Sequence, residues 1–158
     1  MPASLISAMA ASLLLQGAAA QAPDFSGAWT LDRARSESAA QEGASRYVVQ
    51  TITQTDGDVR VVTTRDGKSV LTRYPIGPVP AAPDEITAEP RAFWQGAGLV
   101  TEGSVDIEGQ TVSFRESRTL AADGSEMAVE TTLKVQHGYT LRGAHTMVSG
   151  KDVYVRGR

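Results

Sequence analysis

The chain has 158 residues, with 15 Lys and Arg against 18 Asp and Glu, a net charge of −3 and no cysteine. This excludes disulfides and thiolate metal sites, and the mild acidity, spread without a basic run, speaks against nucleic acid or an anionic membrane surface as partner. One domain of this size buries an adequate core without covalent staples.

Residues 1–20, MPASLISAMAASLLLQGAAA, carry no charged side chain. Leu5 to Leu15 forms an apolar core shorter than the roughly 20 residues that span a bilayer, and no stop-transfer pattern follows. Ala18 and Ala20 give the A-x-A pattern of a cleavage site. The expectation is a signal peptide over 1–20 and one mature domain over 21–158, with no transmembrane segment in the mature chain and a periplasmic or secreted bacterial location.

The mature part opens on DFSGAWTLD (24–32), with the first of two tryptophans, Trp29. Beyond it, turn signals recur at short spacing. Asp56-Gly57, Asp66-Gly67, Glu108-Gly109, Asp123-Gly124, His137-Gly138 and Ser149-Gly150 each separate runs rich in Val, Thr, Ile and Tyr. Asp-Gly supplies the positive φ angles of a type I′ turn, and no long segment shows apolar residues at helical spacing. Strands are expected near 27–32, 46–55, 58–65, 68–74, 92–95, 98–107, 110–121, 125–135, 139–148 and 152–157. The fold class is therefore all-β, an antiparallel up-and-down barrel of roughly eight to ten strands, closed so that no sheet edge stays open.

Two stretches interrupt the meander. RARSESAAQEGAS (33–45) reads as a loop or a short surface helix. PIGPVPAAPDEITAEP (75–90) holds five of the seven prolines, and proline has no N–H for a ladder. It is either a flap across a barrel mouth or, by preference, a rigid crossover joining two halves of the sheet.

The second half sets its own register. Closing a two-residue loop at Asp123-Gly124 opposes Leu120 to Met127, Phe114 to Leu133 and Val112 to Val135 on one side, with Ser113/Lys134, Arg115/Thr132 and Ser117/Glu130 on the other. Closing the loop at Glu108-Gly109 extends both faces. Val105 meets Val112 inside, Gly103 lies opposite Phe114, and Glu102 meets Arg115 outside as a cross-strand ion pair. In the first half, Val48, Ile52, Val59, Val61, Val70 and Tyr74 share a face with Gln50, Gln54, Thr63 and Thr72.

This register puts Glu116 and Arg118 on the inward face between Phe114 and Leu120. Thr101 and Thr131 flank Glu116, while Leu99 and Val129 flank Arg118. Same-face neighbours on a strand are about 7 Å apart, within reach of two long side chains. A charge removed from water must be paired, so these two pair with each other or with a ligand. Glu116, Arg118, Thr101 and Thr131 are the candidate ligand-binding residues, with Arg118 holding a carboxylate, phosphate or carbonyl and Glu116 orienting it. The alternatives are a salt bridge of purely structural role and, should the protein be an enzyme, acid/base chemistry at Glu116 such as isomerisation, cyclisation or elimination. No other catalytic residue is assigned. His137 and His145 lack metal-site spacing, no G-x-S-x-G stretch or phosphate loop occurs, and neither a cofactor nor a metal is expected.

Gly27-Ala28-Trp29 resembles the G-x-W motif that opens lipocalin and related calycin barrels. The wider pattern of DFSGAWTLD, VVQTITQTDG, FWQGAGLV, RTLAADGSEM and YVRGR is similar to a group of exported bacterial proteins of lipocalin-like type, over nearly all of 21–158. The resemblance implies that Trp29 plugs the closed end of a barrel and that an arginine of the last strand, Arg156 or Arg158, packs across it. In AFWQG, adjacent Phe93 and Trp94 point to opposite faces. The outward ring lies under the proline-rich connection or forms an exposed aromatic patch. Trp29, Phe114 and Trp94 are thus structural residues. The function read from all this is a monomeric, exported barrel that binds a small amphipathic molecule in an apolar cavity with a Glu/Arg anchor. The remaining alternatives are the enzyme named above and an accessory domain with a filled core.

Protein recovered from outside the cytoplasm of its host is expected to begin at Gln21. N-terminal sequencing that finds Met1 or Pro2 on the exported species contradicts the cleavage.

Overall fold

The structure, a computed structural model, describes residues 21–37, 47–107, 109–136 and 145–157. The expected signal segment, residues 38–46, Glu108, residues 137–144 with the His137-Gly138 turn, and Arg158 lie outside the described residues. Nine strands follow one another: β1 (Gly27–Leu31), β2 (Val48–Gln54), β3 (Asp58–Arg65), β4 (Lys68–Pro75), β5 (Arg91–Gln95), β6 (Gly98–Ile107), β7 (Gln110–Leu120), β8 (Glu126–Gln136) and β9 (His145–Arg156). Arg33–Arg35 makes one 3₁₀ turn, with the Ala34 N–H donating to the Asp32 side chain.

All nine belong to one antiparallel sheet in the order β4-β3-β2-β1-β9-β8-β7-β6-β5, so chain neighbours pair except β4 with β5, and β1 joins β9. The sheet curls until β4 and β5 approach. There Ile76 bridges Ala92 in parallel, and the Gly77 N–H donates to the Ala92 carbonyl at 2.9 Å. The product is a nearly closed up-and-down barrel, all-β as the turn spacing predicts.

The predicted registers are found residue for residue. Leu120 faces Met127, Phe114 faces Leu133, Gly103 faces Phe114 and Leu99 faces Arg118. Gly103 is needed where it is, because a Cβ there would lie 3.2 Å from Phe114 Cζ and 3.8 Å from the Tyr74 ring. The turns are less uniform than the dipeptides imply. Asp66 and Gly67 both take positive φ (48° and 77°), as a type I′ turn requires. At Asp56-Gly57 the Thr55 hydroxyl instead accepts from the N–H groups of Gly57 and Asp58. At Asp123-Gly124 the Asp123 carboxylate accepts from the Ser125 N–H and hydroxyl.

One expected turn is absent. Ser149-Gly150 runs within β9, opposite Thr132 and Thr131 of β8, so the two expected final strands are one. Gly150 signals no reversal because the ladder to β8 continues on both sides of it. Its other edge is closed by the segment after β1. Asp32 N–H donates to the Val153 carbonyl, Glu37 N–H to the Lys151 carbonyl, and Ser36 Oγ and Glu37 Oε2 accept from the N–H groups of Val153 and Lys151. These bonds carry the edge of β9 on from the short β1 as far as Lys151.

One end of the barrel is closed by the DFSGAW stretch. Trp29 and Phe25 have no exposed surface, and Trp29 Nε1 donates to the Phe25 carbonyl at 2.8 Å. Arg156 lies 4.3 Å over the Trp29 ring, a cation–π contact worth about 1 kcal/mol, and donates to the carbonyls of Gly124 and Ser26. Gly27 sits at φ 135°, where a Cβ would meet Arg156 Nη1 at 3.0 Å. The glycine beside the tryptophan is thus the condition for the arginine to stack.

Gly103→Val is expected to lower stability by about 1–3 kcal/mol by forcing Phe114 off its site. Adding Phe114→Leu should return part of that loss, because the two residues share one space. Urea unfolding of both single variants and the double checks this; additive effects contradict the packing.

Candidate functional site

Inside the barrel, burial changes along the strands rather than being uniform. Near the end closed by Trp29 the inward residues Val59, Leu99, Met127 and Val129 are buried. Toward the opposite end, where the β3–β4 and β6–β7 turns lie, inward positions open. Thr63, Thr72, Leu133 and Thr131 are half-buried, and Val70, Val105 and Val148 are 65%, 43% and 38% exposed. Val48 and Val112 alone stay buried near that end among the described inward valines at this level. The interior is dry at one end and wet at the other.

Glu116 and Arg118 sit at the change. Arg118 has no exposed surface, its Nη1 donates to Thr101 Oγ1 at 2.6 Å, and its Nη2 pairs with Glu116 Oε2. The Glu116 side chain is 21% exposed. The third N–H site of the guanidinium, Nε, is buried without a partner, and so is the carbonyl oxygen of Gln50 on β2. Thr101 is fully buried and spends its oxygen on Arg118. Thr131 stands opposite Glu116 in register, half-buried, and no hydrogen bond among the described residues ties it to the pair.

Three further inward residues complete the polar layer: Tyr74, which sequence reasoning placed on this face, and Tyr154 and Asp152, which it did not single out. Tyr74 and Tyr154 are buried, and burial pushes both phenols up, Tyr74 to about 12, with the Glu116 charge adding to each. Both hydroxyls stay protonated donors at neutral pH. Asp152 shares the inward face of Tyr154 and is buried. Strand parity from Tyr154 would have found it.

Of the structural residues, Phe114 is half-buried over Gly103, and Trp94 faces inward beside Leu99, its ring 6.2 Å from Phe25. Phe93 is the outward ring and is only 2% exposed. It shares the outer face with Glu102, where the expected cross-strand ion pair with Arg115 is found, buried and with a second arginine added. Glu102 has no exposed surface and accepts from two arginines, Arg91 Nε at 2.6 Å and Arg115 Nε at 2.6 Å. The reason is the proline-rich connection. Arg115 Nη2 donates to the Glu85 carbonyl, Ile86 is buried, and residues 80–88 roof a cleft of about 640 Å³ with Thr111, Ser113 and Lys134 below. The connection crosses between the sheet halves and straps their outer face; it is not a flap on the mouth. Among the described residues no group of three His, Asp or Glu side chains could hold a metal ion.

No protein-family model matches the chain, and no curated protein matches it by sequence. Among solved structures, a mutant of the fluorescent protein UnaG is similar at 13% identity over 85% of this chain and 96% of that one, with TM-score 0.46. A secretary abundant heat soluble (SAHS) protein from Ramazzottius varieornatus is similar at 12% identity over 84% and 95%, TM-score 0.42. The REP1-NXSQ fatty acid transporter is similar at 14% identity over 84% and 96%, TM-score 0.42. Likeness at this level carries no argument about ligand or family; the barrel rests on this chain's own ladders.

The two partners of the ion pair differ in exposure, and their removal should differ in cost. Glu116→Gln leaves a fully buried guanidinium without counter-charge, a loss of about 3–5 kcal/mol. Arg118→Met leaves a carboxylate that water reaches, a loss of about 1–3 kcal/mol. The double variant should recover part of the larger loss. Denaturant unfolding of the three variants reads this order, and equal, additive losses contradict it.

Proposed function

We propose that this protein is an exported carrier of a small amphipathic molecule, held in the barrel with its apolar part toward the wide end and its polar part on Arg118, Glu116 and Thr101. One observation carries the reading: an inward ion pair stands where a dry floor gives way to a half-open interior, with Arg118 fully buried and Glu116 reached by solvent. A filled structural core has no need of a cation at that level, since an apolar residue of similar size packs there at no desolvation cost. A binding cavity does need one, because a few placed polar groups in an apolar wall fix a ligand's orientation. Export, with removal of residues 1–20, is part of the proposal and fits a chain without cysteine that folds without disulfides.

Solvent extracts of the protein purified from its natural host under native conditions should contain a stoichiometric small molecule by mass spectrometry. Arg118→Lys should retain less of it while melting within a few degrees of wild type, because lysine lacks the guanidinium fork. Wild-type protein that yields no small molecule, and takes up no neutral environment-sensitive dye, sinks the binding function and leaves the pair as structure.

A further inference from the structure

We propose that the cleft between the proline-rich strap and the outer face of the sheet is a second binding site, one that takes a small carboxylate with an apolar body. It stands on residues of its own and does not depend on the reading of the interior. At about 640 Å³ the cleft has the size of small-molecule sites. Its floor follows from register: Ser113 of β7 opposes Lys134 of β8, and Thr111 lies on the same outward face as Ser113. Opposed side chains start about 5 Å apart and same-face neighbours about 7 Å apart, so one carboxylate can meet the ammonium and a hydroxyl together. The roof is Ala81, Ala82, Ile86 and Ala88. Pro78, Pro80, Pro83 and Pro90 each fix φ and lack an N–H, so the strap crosses this floor as a stiff span rather than folding down into it.

Lys134 carries the choice of ligand. It is half-buried and has no ion pair or hydrogen bond among the described residues, whereas the outward cations Arg91, Arg115 and Lys151 pair with Glu102 or Glu130. Its neighbours across the ladders are Ser113 and Met147, neither of them acidic. Glu85 lines the same cleft and does not pair with it. The hydroxyls of Ser113 and Thr111 are likewise unspent among the described residues. A half-buried ammonium keeps only part of its hydration, and an entering carboxylate supplies the missing partner in a charge-assisted hydrogen bond. The charges around the cleft set how much anion it takes. Three cations, Arg91, Arg115 and Lys134, stand against two carboxylates, Glu85 and Glu102, an excess of one positive charge. Asp84 and Glu89 on the strap and Asp106 opposite Thr111 lie nearby without lining the cleft, and they repel a second negative charge. The site therefore suits a monoanion rather than a phosphate dianion, and the alanine roof suits a ligand with an apolar body.

The test is a titration of the purified, nitrogen-15-labelled protein at neutral pH with naphthylacetate, its neutral amide naphthylacetamide, and acetate, followed by NMR. Naphthylacetate should shift the amide signals of Ser113, Lys134 and the strap around Ala82 and Ile86. The amide, which lacks the charge, and acetate, which lacks the apolar body, should each bind at least about tenfold more weakly. Lys134→Met should weaken naphthylacetate by about tenfold, and Glu85→Gln should tighten it by removing a like charge from the wall. Naphthylacetamide binding as tightly as the acid overturns the choice of an anion, and acetate binding as tightly overturns the apolar body. Unchanged affinity in Lys134→Met overturns the role of the lysine. Shifts confined to inward residues such as Thr131 and Thr72 overturn the outer site and leave the carrier function standing. No shift at any residue overturns the outer site as well, while the carrier function is judged separately by the small molecule that co-purifies.

Discussion

A guanidinium without exposed surface is the constraint on which the interior is organised. Arg118 must have its charge and its N–H groups met inside the protein, since burial removes the water that would otherwise do so. Its position on β7 faces Leu99 on one neighbour and Val129 on the other, and neither can help. The help comes from one residue pair further along the barrel, where Glu116 and Thr101 stand side by side in register. On the Trp29 side of this level stand the buried Val59, Leu99, Met127 and Val129; the half-exposed threonines and exposed valines lie on the other side. The pair marks the boundary because only there can one partner be dry and the other wet.

That boundary holds only if the far end is sealed. The plug is a chain of dependencies that begins at Gly27, whose φ of 135° turns the segment before β1 back across the opening. Phe25 then fills the end, its N–H donating to Gln54 Oε1 while the Gln54 amide donates to the Pro23 carbonyl. Arg156 fastens the same segment through the Ser26 carbonyl and stacks on Trp29. Strand β1 is only five residues long, yet it is the link between the two halves of the sheet. The latch and the segment following β1 supply the hydrogen bonds that so short a strand cannot.

Much of this was legible in the sequence, for a definite reason. A hairpin loop of known length fixes the sum of paired residue numbers, and strand parity then assigns every side chain to a face. That is how Glu116 and Arg118 could be placed inside and Gly103 under Phe114 without a structure. Parity does not say how deep a position lies, so Val70 and Val105 were grouped with buried valines although they stand at the open end, 65% and 43% exposed. Nor does it say what covers an outer face. Glu102 was assigned correctly to the outside and to Arg115, but its burial and its second arginine, Arg91, depend on a connection whose path is set by tertiary contacts. Ser149-Gly150 misled because a small residue pair marks a turn only where the ladder on both sides stops.

The outer strap and the inner ion pair meet in β6. Antiparallel sheets usually leave one face to water, which gives alternating buried and exposed residues. In β6 the alternation fails: Leu99, Val100, Thr101, Glu102 and Gly103 are all buried. The inward members of this run line the interior, where Thr101 holds Arg118, while the outward members lie with Phe93 and the two arginines that clamp Glu102 on the face strapped by residues 80–88. Thr101 and Glu102 are consecutive residues, so the peptide between them carries a polar anchor on each face. A strand buried on both sides has few ways to shift, because any displacement that relieves one anchor strains the other in a densely packed setting. The proline-rich connection, poor in ladder hydrogen bonds of its own, thereby fixes the height at which Thr101 presents its hydroxyl to the guanidinium inside.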